Sequence, residues 1–354
     1  MDCLKIGCGR FLYGHGIISQ LAGEIKRYGS KAYLVGGKTT LPMVLSLTEK
    51  DLRQEKIEIA THTLAEPNSV DLAHRLAEDA QKAGSEVVIA IGGGRCMDVC
   101  KLFADIAKLP MVTVPTSIAT CAGCSAVSIL YTKDEGRYDC SVPKDHEIES
   151  VLLDLDIVAS SPKRLTAAGI MDTLAKLPEI VNGANDLSYR DGEIKKLAAF
   201  CNSKMIYDFL MNNALELYRD PIGNVQRFDD MALIITLITS MISGFSSGTG
   251  QLALAHGLYD ASKRFFPQET KNKLHGEIVG LGLRLQMRYN GVSQEELTAF
   301  EQLMQDMEIP MKLADIGIEP TRENVDLLAQ RTINTNGMSE EEARRLYEAY
   351  QVIL

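Results

Sequence analysis

The spacing of apolar positions changes character once along the chain, near residue 160. Before that point short apolar runs alternate with stretches of helical period. Ile17, Ile18, Leu21 and Ile25 form one stripe within residues 16–28, and residues 31–35 read as a strand that stops at Gly36-Gly37. Residues 40–49 suit a short helix and 57–59 a strand. Residues 68–82 then carry Val70, Leu72, Ala73, Leu76 and Ala80 at helical spacing behind an Asn68-Ser69 cap signal. The run 86–91 is apolar at every position after Glu86, as expected of a strand buried on both faces of a parallel sheet. Gly92-Gly93-Gly94 follows, then a helix over 97–108, a strand over 111–114, an apolar stretch at 125–131 and a strand at 151–156. Strands alternating with helices of this length imply βαβ units.

After Ser160-Ser161-Pro162 no strand pattern survives. Helix-compatible stretches run over 190–217, 227–243, 271–288 and 294–307, and Ser293 with Glu296, and Ser339 with Glu342, have capping-box spacing. The predicted fold is an α/β N-terminal domain with a parallel, Rossmann-like sheet (residues 1–158), followed by an all-α C-terminal domain (159–354). The boundary is expected near 157–163.

Composition narrows the function classes. The 354 residues are 45% hydrophobic and 24% charged, near the globular average, and two domains suit that length. Net charge is −10, from 37 basic and 47 acidic residues without a basic cluster, so nucleic acid is not an expected partner. The longest apolar run, 231–243, falls short of the roughly 20 residues a spanning helix needs, and residues 1–10 lack a basic start followed by an apolar stretch. No membrane partner is expected, and the cytoplasm is the expected compartment. Eight cysteines (Cys3, Cys8, Cys96, Cys100, Cys121, Cys124, Cys140 and Cys201) suit it when reduced. Cys121 and Cys124 have half-zinc-site spacing, but no second pair follows, so small thiols are the better reading.

Three features could carry chemistry. Three glycines between a buried strand and a helix let backbone approach a phosphate at a helix N-terminus, or simply make a tight turn. The set matches neither the G-x-G-x-x-G fingerprint nor the P-loop. His256 and His275 are each followed by glycine in apolar helical sequence, where an unpaired imidazole is costly. They read either as satisfied core residues or as metal ligands from neighbouring helices. Asp172 also sits in an apolar helical run. It could bind a cation, cap a helix start, or pair with Lys176 one turn on.

Taken in order, Gly92-Gly93-Gly94 with Asp98, Val114-Pro115-Thr116, residues 124–131, Ala168-Gly169-Ile170-Met171-Asp172, His256 and Leu274-His275-Gly276 resemble the glycerol dehydrogenase branch of the iron-containing (group III) alcohol dehydrogenase superfamily, over about residues 5–280. The resemblance implies a dehydroquinate synthase-like architecture, with a metal and NAD(H) or NADP(H) in a cleft between the domains. It implies Asp172, His256 and His275 as metal ligands. Members that use iron add a histidine four residues after the aspartate; here that position is Lys176, which favours Zn2+. Gly94, Arg95, Thr116, Ala119, Ser125, Val127 and Tyr131 match dinucleotide-contact positions, while Gly93 and Asp98 match residues that shape the phosphate loop. A small-molecule substrate and a homo-oligomer are implied as well.

Three departures bear on the substrate and cofactor. Cys121 stands where glycerol dehydrogenases carry an aspartate that holds the polyol. Gly37 replaces an acid at the end of the second strand, and Lys38 beside it could attract a 2′-phosphate, so NADP(H) becomes an option. Tyr259 replaces a second histidine. Thr120-Cys121 and Asp172…Lys176 are similar to the hydroxycarboxylate dehydrogenases of this branch, and Lys176 could pair with a substrate carboxylate. The expectation is therefore a metal-dependent oxidoreductase acting on a 2-hydroxy or 2-oxo acid. Glycerol or another vicinal diol is the alternative within the class. Outside it stand a dehydroquinate synthase-like cyclase, whose Gly-Gly-Lys-Thr-Gly motif this chain lacks, and a non-catalytic nucleotide-binding sensor.

Overall fold

A computed structural model of the chain describes residues 4–181, 187–190, 192–247 and 251–354, so Cys3 lies outside the described residues. Two compact units emerge: residues 1–134 with 138–162, and residues 135–137 with 163–354.

The first unit is built on six parallel strands: β1 (Cys8–Gly14), β2 (Lys31–Gly37), β3 (Glu58–Leu64), β4 (Val87–Gly92), β5 (Met111–Pro115) and β8 (Ile148–Asp154). Their spatial order is β1-β8-β5-β4-β2-β3. A separate antiparallel hairpin is formed by β6 (Val127–Tyr131) and β7 (Tyr138–Pro143). Helices α1 (Leu21–Lys26) and α2 (Thr40–Gln54) cover one sheet face, over a core that includes Leu34, Ile89 and Val112. Helices α3 (Val70–Lys82) and α4 (Gly94–Ala107) cover the other, over Val35, Val88 and Met111. Central strand β4 is buried at every position because both faces are covered, which explains its unbroken apolar run.

The order in which successive strands are added across the sheet reverses between β2 and β4. From β2 the chain goes on to β3 at one edge; from β4 it crosses to β5 on the other side. A doubly wound sheet binds ligands at such a switch point, beyond the carboxyl ends of its strands. Those ends are here Gly37 and the glycine triplet.

Several boundaries differ from expectation. Helix α4 begins at Gly94, not residue 97, because Gly93 is its N-cap and Gly94 and Arg95 form its first turn. The last strand is 148–154 rather than 151–156: Asp154 accepts from the backbone of Asp156 and Ile157 and so starts α5 (Leu155–Ala159). Strands β1 and β7 were not foreseen. Both are half-exposed along their length and lack a continuous apolar signal.

The second unit contains no strand among its described residues. It comprises α6 (Lys163–Leu174), α7 (Lys176–Val181), α8 (Ile194–Arg219), α9 (Val225–Leu233), α10 (Thr239–Ser246), α11 (Leu254–Phe265), α12 (His275–Asn290), α13 (Gln294–Asp306), α14 (Arg322–Asn336) and α15 (Glu340–Tyr350). Ala175 interrupts α6 and α7, since Pro178 has no N–H to give the carbonyl of Leu174. Residues 271–274 precede α12 rather than belonging to it. The box at Ser339 and Glu342 is reciprocal, whereas Ser293 only accepts from the Glu296 N–H.

A π-helical turn, Ile234–Ile238, joins α9 to α10. The run Val225–Ser246 is 22 residues, longer than the apolar stretch 231–243 suggested, and by length and composition could cross a membrane. Its apolar side, including Met231, Ile235 and Ile242, is buried, and it packs on α6 and α8, as a core helix does. The π turn also brings Thr239 Oγ1 within 3.2 Å of Thr173 Oγ1, beside Asp172.

Helix α12 packs against both α6 and α11. Two glycines of α12 permit the approach: a Cβ at Gly276 would lie 1.8 Å from the Ala168 carbonyl oxygen of α6, and one at Gly282 would lie 2.6 Å from the Ala255 oxygen of α11.

Candidate active site

The three helices carry one residue each to a common point. Asp172 comes from α6, His256 from the first turn of α11, and His275 is the first residue of α12. His256 Nε2 lies 3.2 Å from Asp172 Oδ1, and His275 Nε2 lies 3.5 Å from the same oxygen. One ligand atom from each residue falls within 4.8 Å of the other two. Metal–ligand bonds of about 2.0–2.1 Å in a tetrahedral set need ligand atoms about 3.3–3.4 Å apart. The cluster fits a divalent cation, and two imidazoles with one carboxylate leave a position free for a substrate oxygen.

The surroundings set charge and orientation. Burial opposes ionisation of Asp172, yet the Lys176 ammonium and the two imidazoles hold its carboxyl well below the usual carboxylate range. Burial alone would lower His256, but the Glu179 carboxylate beside it, together with Asp172, raises the metal-free imidazole to about 9. A cation must therefore displace that proton to bind. Lys176 Nζ stands 3.4 Å from His256 Nε2 and 3.7 Å from Asp172 Oδ1. Tyr259 meets the His275 ring edge to face, with centroids 4.2 Å apart, which restricts the ring's tilt.

Glu179 on α7 was missed by sequence reasoning. Its side chain is 2% exposed, and both carboxylate oxygens lie 2.8 Å from His256 Nδ1. Glu277, also buried, accepts from the Leu274 N–H and is forked by Arg164 of α6, which ties the start of α12 to α6. The only local hint for either was an acid next to apolar residues.

In the first unit, the residues expected to hold a dinucleotide fall in two groups: Gly37, Lys38, Gly93, Gly94, Arg95 and Thr116 lie at the carboxyl ends of β2, β4 and β5, whereas Ser125, Val127 and Tyr131 lie just before or within β6. Thr40 Oγ1 accepts from the Gly37 N–H at 3.0 Å and donates to the Ile91 carbonyl at 3.2 Å, linking the ends of β2 and β4. Gly92 has φ of +153°, which disfavours any side chain, and its carbonyl accepts from the Thr116 N–H. No side chain caps α4 at Gly93, so its N-terminus is suited to a phosphate. Arg95 and Lys38 are exposed beside it. Asp98 instead points inward: it pairs at 2.8 Å with Lys101, which is fully buried and also donates to the carbonyls of Ser125 and Val127. Thus Asp98 braces the loop through Lys101, a residue the sequence did not single out.

Thr116 and Ser125 are buried, while Ala119, Cys121, Val127 and Tyr131 are partly exposed. Asn68, also unforeseen, donates to the Ile129 carbonyl, and its backbone oxygen accepts from the Tyr131 N–H. Its buried Oδ1 has no partner among the described residues.

Comparison with known proteins agrees with this architecture. Residues 8–149 match the iron-containing alcohol dehydrogenase family. Glycerol dehydrogenase of Escherichia coli O6:H1 is 27% identical over 324 residues, covering 90% of this chain and 86% of that protein. Glycerol dehydrogenase of Thermotoga maritima is 26% identical over 320 residues, covering 88% and 84%. The crystal structure of a probable glycerol dehydrogenase from Sinorhizobium meliloti superposes with a TM-score of 0.81 at 20% identity, over 98% of this chain and 97% of that one. The chain is thus similar to glycerol dehydrogenases along most of its length, and its residues 8–149 carry the pattern of the iron-containing alcohol dehydrogenase family.

Proposed function

We propose that this chain is a zinc- and nicotinamide-dependent dehydrogenase of a small hydroxy or oxo compound, with glycerol or another vicinal diol as the substrate favoured by its relatives. The observation that carries the reading is the convergence of Asp172, His256 and His275, supported by glycerol dehydrogenases along most of the chain's length. Zinc suits a set of two imidazoles and a carboxylate, and Lys176 stands where a third histidine, as fourth ligand, would recruit iron.

When bound, the metal polarises a substrate oxygen and the nicotinamide exchanges a hydride with its carbon. The chain's own part is positional. Asp172, His256 and His275 would hold the cation, and the glycine-started N-terminus of helix α4 would receive the pyrophosphate. The loop braced by Asp98 and Lys101 presents Thr116, Ala119, Ser125 and Val127 to the dinucleotide. None of the seven described cysteines is in a disulfide, which suits a cytoplasmic enzyme. A homo-oligomer is the proposed assembly.

One observation favours a second reading, a 2-hydroxy or 2-oxo acid. Lys176 puts a mostly buried ammonium within 4 Å of the proposed ligands, where it could pair with a substrate carboxylate. Cys121 fits the same substrate, since a thiol does not repel an anion. Reductase assays on dihydroxyacetone and on short 2-oxo acids separate the two. Under the acid reading, Lys176→Met raises KM for the acid about tenfold, as expected for loss of a charge-assisted bond, and spares dihydroxyacetone. If KM for the acid is unchanged, that reading fails. Turnover of dihydroxyacetone alone supports the diol.

Cofactor choice has its own test. With Gly37 leaving no acid at the end of β2, Lys38→Ala is expected to raise KM for NADPH about five- to tenfold and leave NADH unaltered. Equal changes for both would show that Lys38 does not read the 2′-phosphate. A cyclase or a nucleotide sensor is distinguished by metal analysis with the reductase assay: neither combines bound zinc with hydride transfer.

A further inference from the structure

We propose that Glu179 is a positioning residue for the metal centre. Its buried carboxylate accepts a hydrogen bond from the Nδ1–H of His256, turns Nε2 toward Asp172 and His275, and so sets the cation affinity of the trio. This inference rests on the metal-dependent reading above.

Pro178 starts the argument. The break at Ala175 lets α7 restart, and Glu179 becomes an inward-facing residue of that short helix, with its own N–H bonded to the Ala175 carbonyl. A carboxylate this deeply buried needs strong partners. It finds them on one residue: the backbone N–H of His256 at 2.9 Å and the ring Nδ1 at 2.8 Å.

These contacts have separable consequences. The backbone contact caps the first turn of α11, where an anion also complements the helix dipole. The ring contact fixes the tautomer, because a proton kept on Nδ1 leaves the Nε2 lone pair for a cation held between Nε2 and Asp172 Oδ1, which lie 3.2 Å apart. Negative charge behind the ring also makes Nε2 a better donor to a cation. A residue that served only to stabilise the fold would need the first contact and not the second.

The experiment uses the full chain, stripped of metal by dialysis against chelator and titrated with Zn2+ in competition with a chromogenic chelator. The Co2+ absorption spectrum serves as a signature of ligand geometry. Glu179→Ala is expected to bind Zn2+ about 10- to 100-fold more weakly, in line with the loss of such carboxylate–histidine contacts elsewhere. Glu179→Gln, which keeps an acceptor but no charge, is expected to recover part of that loss. The melting temperature of the metal-free protein should change little with the Gln variant. Zinc affinity of Glu179→Ala within about twofold of the original overturns the proposal. If the Ala variant does not fold, the Gln variant decides: unchanged zinc affinity with an unchanged Co2+ spectrum overturns it. An unaltered chain that takes up no divalent cation would overturn the metal-dependent reading itself, and this inference with it.

Discussion

His256→Ala is expected to abolish stoichiometric zinc binding and to lower kcat/KM for reduction by at least about a thousandfold. The first effect follows from geometry. Removing His256 leaves Asp172 and His275, two ligands 3.5 Å apart, and two ligands rarely hold Zn2+ against water. The second follows from energetics: Lewis-acid stabilisation of a developing alkoxide is worth several kcal/mol, and each 1.36 kcal/mol is about tenfold in rate. The variant also strands Glu179, whose buried carboxylate then faces a cavity, so some loss of thermal stability is expected as well. NADH binding is the control. The residues proposed to hold the dinucleotide belong to the first unit, so fluorescence-monitored NADH affinity should stay within about twofold. A variant that retains one tightly bound zinc and near-original activity would remove the cluster from the mechanism.

How far such a site can be read from sequence depends on whether its signals are local. Strand β4 was legible because burial on both faces forces five consecutive apolar side chains, Val87 to Ile91, and the positive φ at its last residue explains Gly92. Strand β1 was not legible. It lies at the sheet's edge, half-exposed, and nothing in Cys8–Gly14 separates it from a loop. The three proposed ligands were recognisable from apolar context and family spacing, while the residues that hold them were not. Glu179 looks like any acid in a short helix until α7 and α11 pack, and Lys101 looks like an ordinary i,i+3 partner of Asp98 until its complete burial is seen. Partnerships between helices leave no periodic trace. The same holds for the run Val225–Ser246, whose apolarity serves the core of the helical unit.

Two His-Gly pairs, alike in sequence, yield opposite expectations on substitution. At Gly276 an added Cβ would stand 1.8 Å from the carbonyl oxygen of Ala168 and 2.4 Å from its carbon. Both are backbone atoms of a buried helix, so no side chain can swing aside. Helix α6 or α12 must move by more than an ångström, which would pull Asp172 and His275 apart. Gly276→Ala is therefore expected to cost about 3 kcal/mol or more, at the upper end for overpacking, and to lower the melting temperature by about 6–12 °C. At Gly257, by contrast, the nearest atom to a new Cβ is Thr332 Oγ1 at 3.6 Å, an ordinary contact. There alanine replaces glycine within the first turns of α11, where helix propensity favours it by about 0.5–1 kcal/mol, so Gly257→Ala should match or exceed the original in stability. Calorimetry and zinc titration on both variants make the comparison internal. If Gly276→Ala melts within about 2 °C of the original and still binds zinc tightly, α6 and α12 do not approach at Ala168 as closely as described, and the geometry that gathers the three ligands must be redrawn.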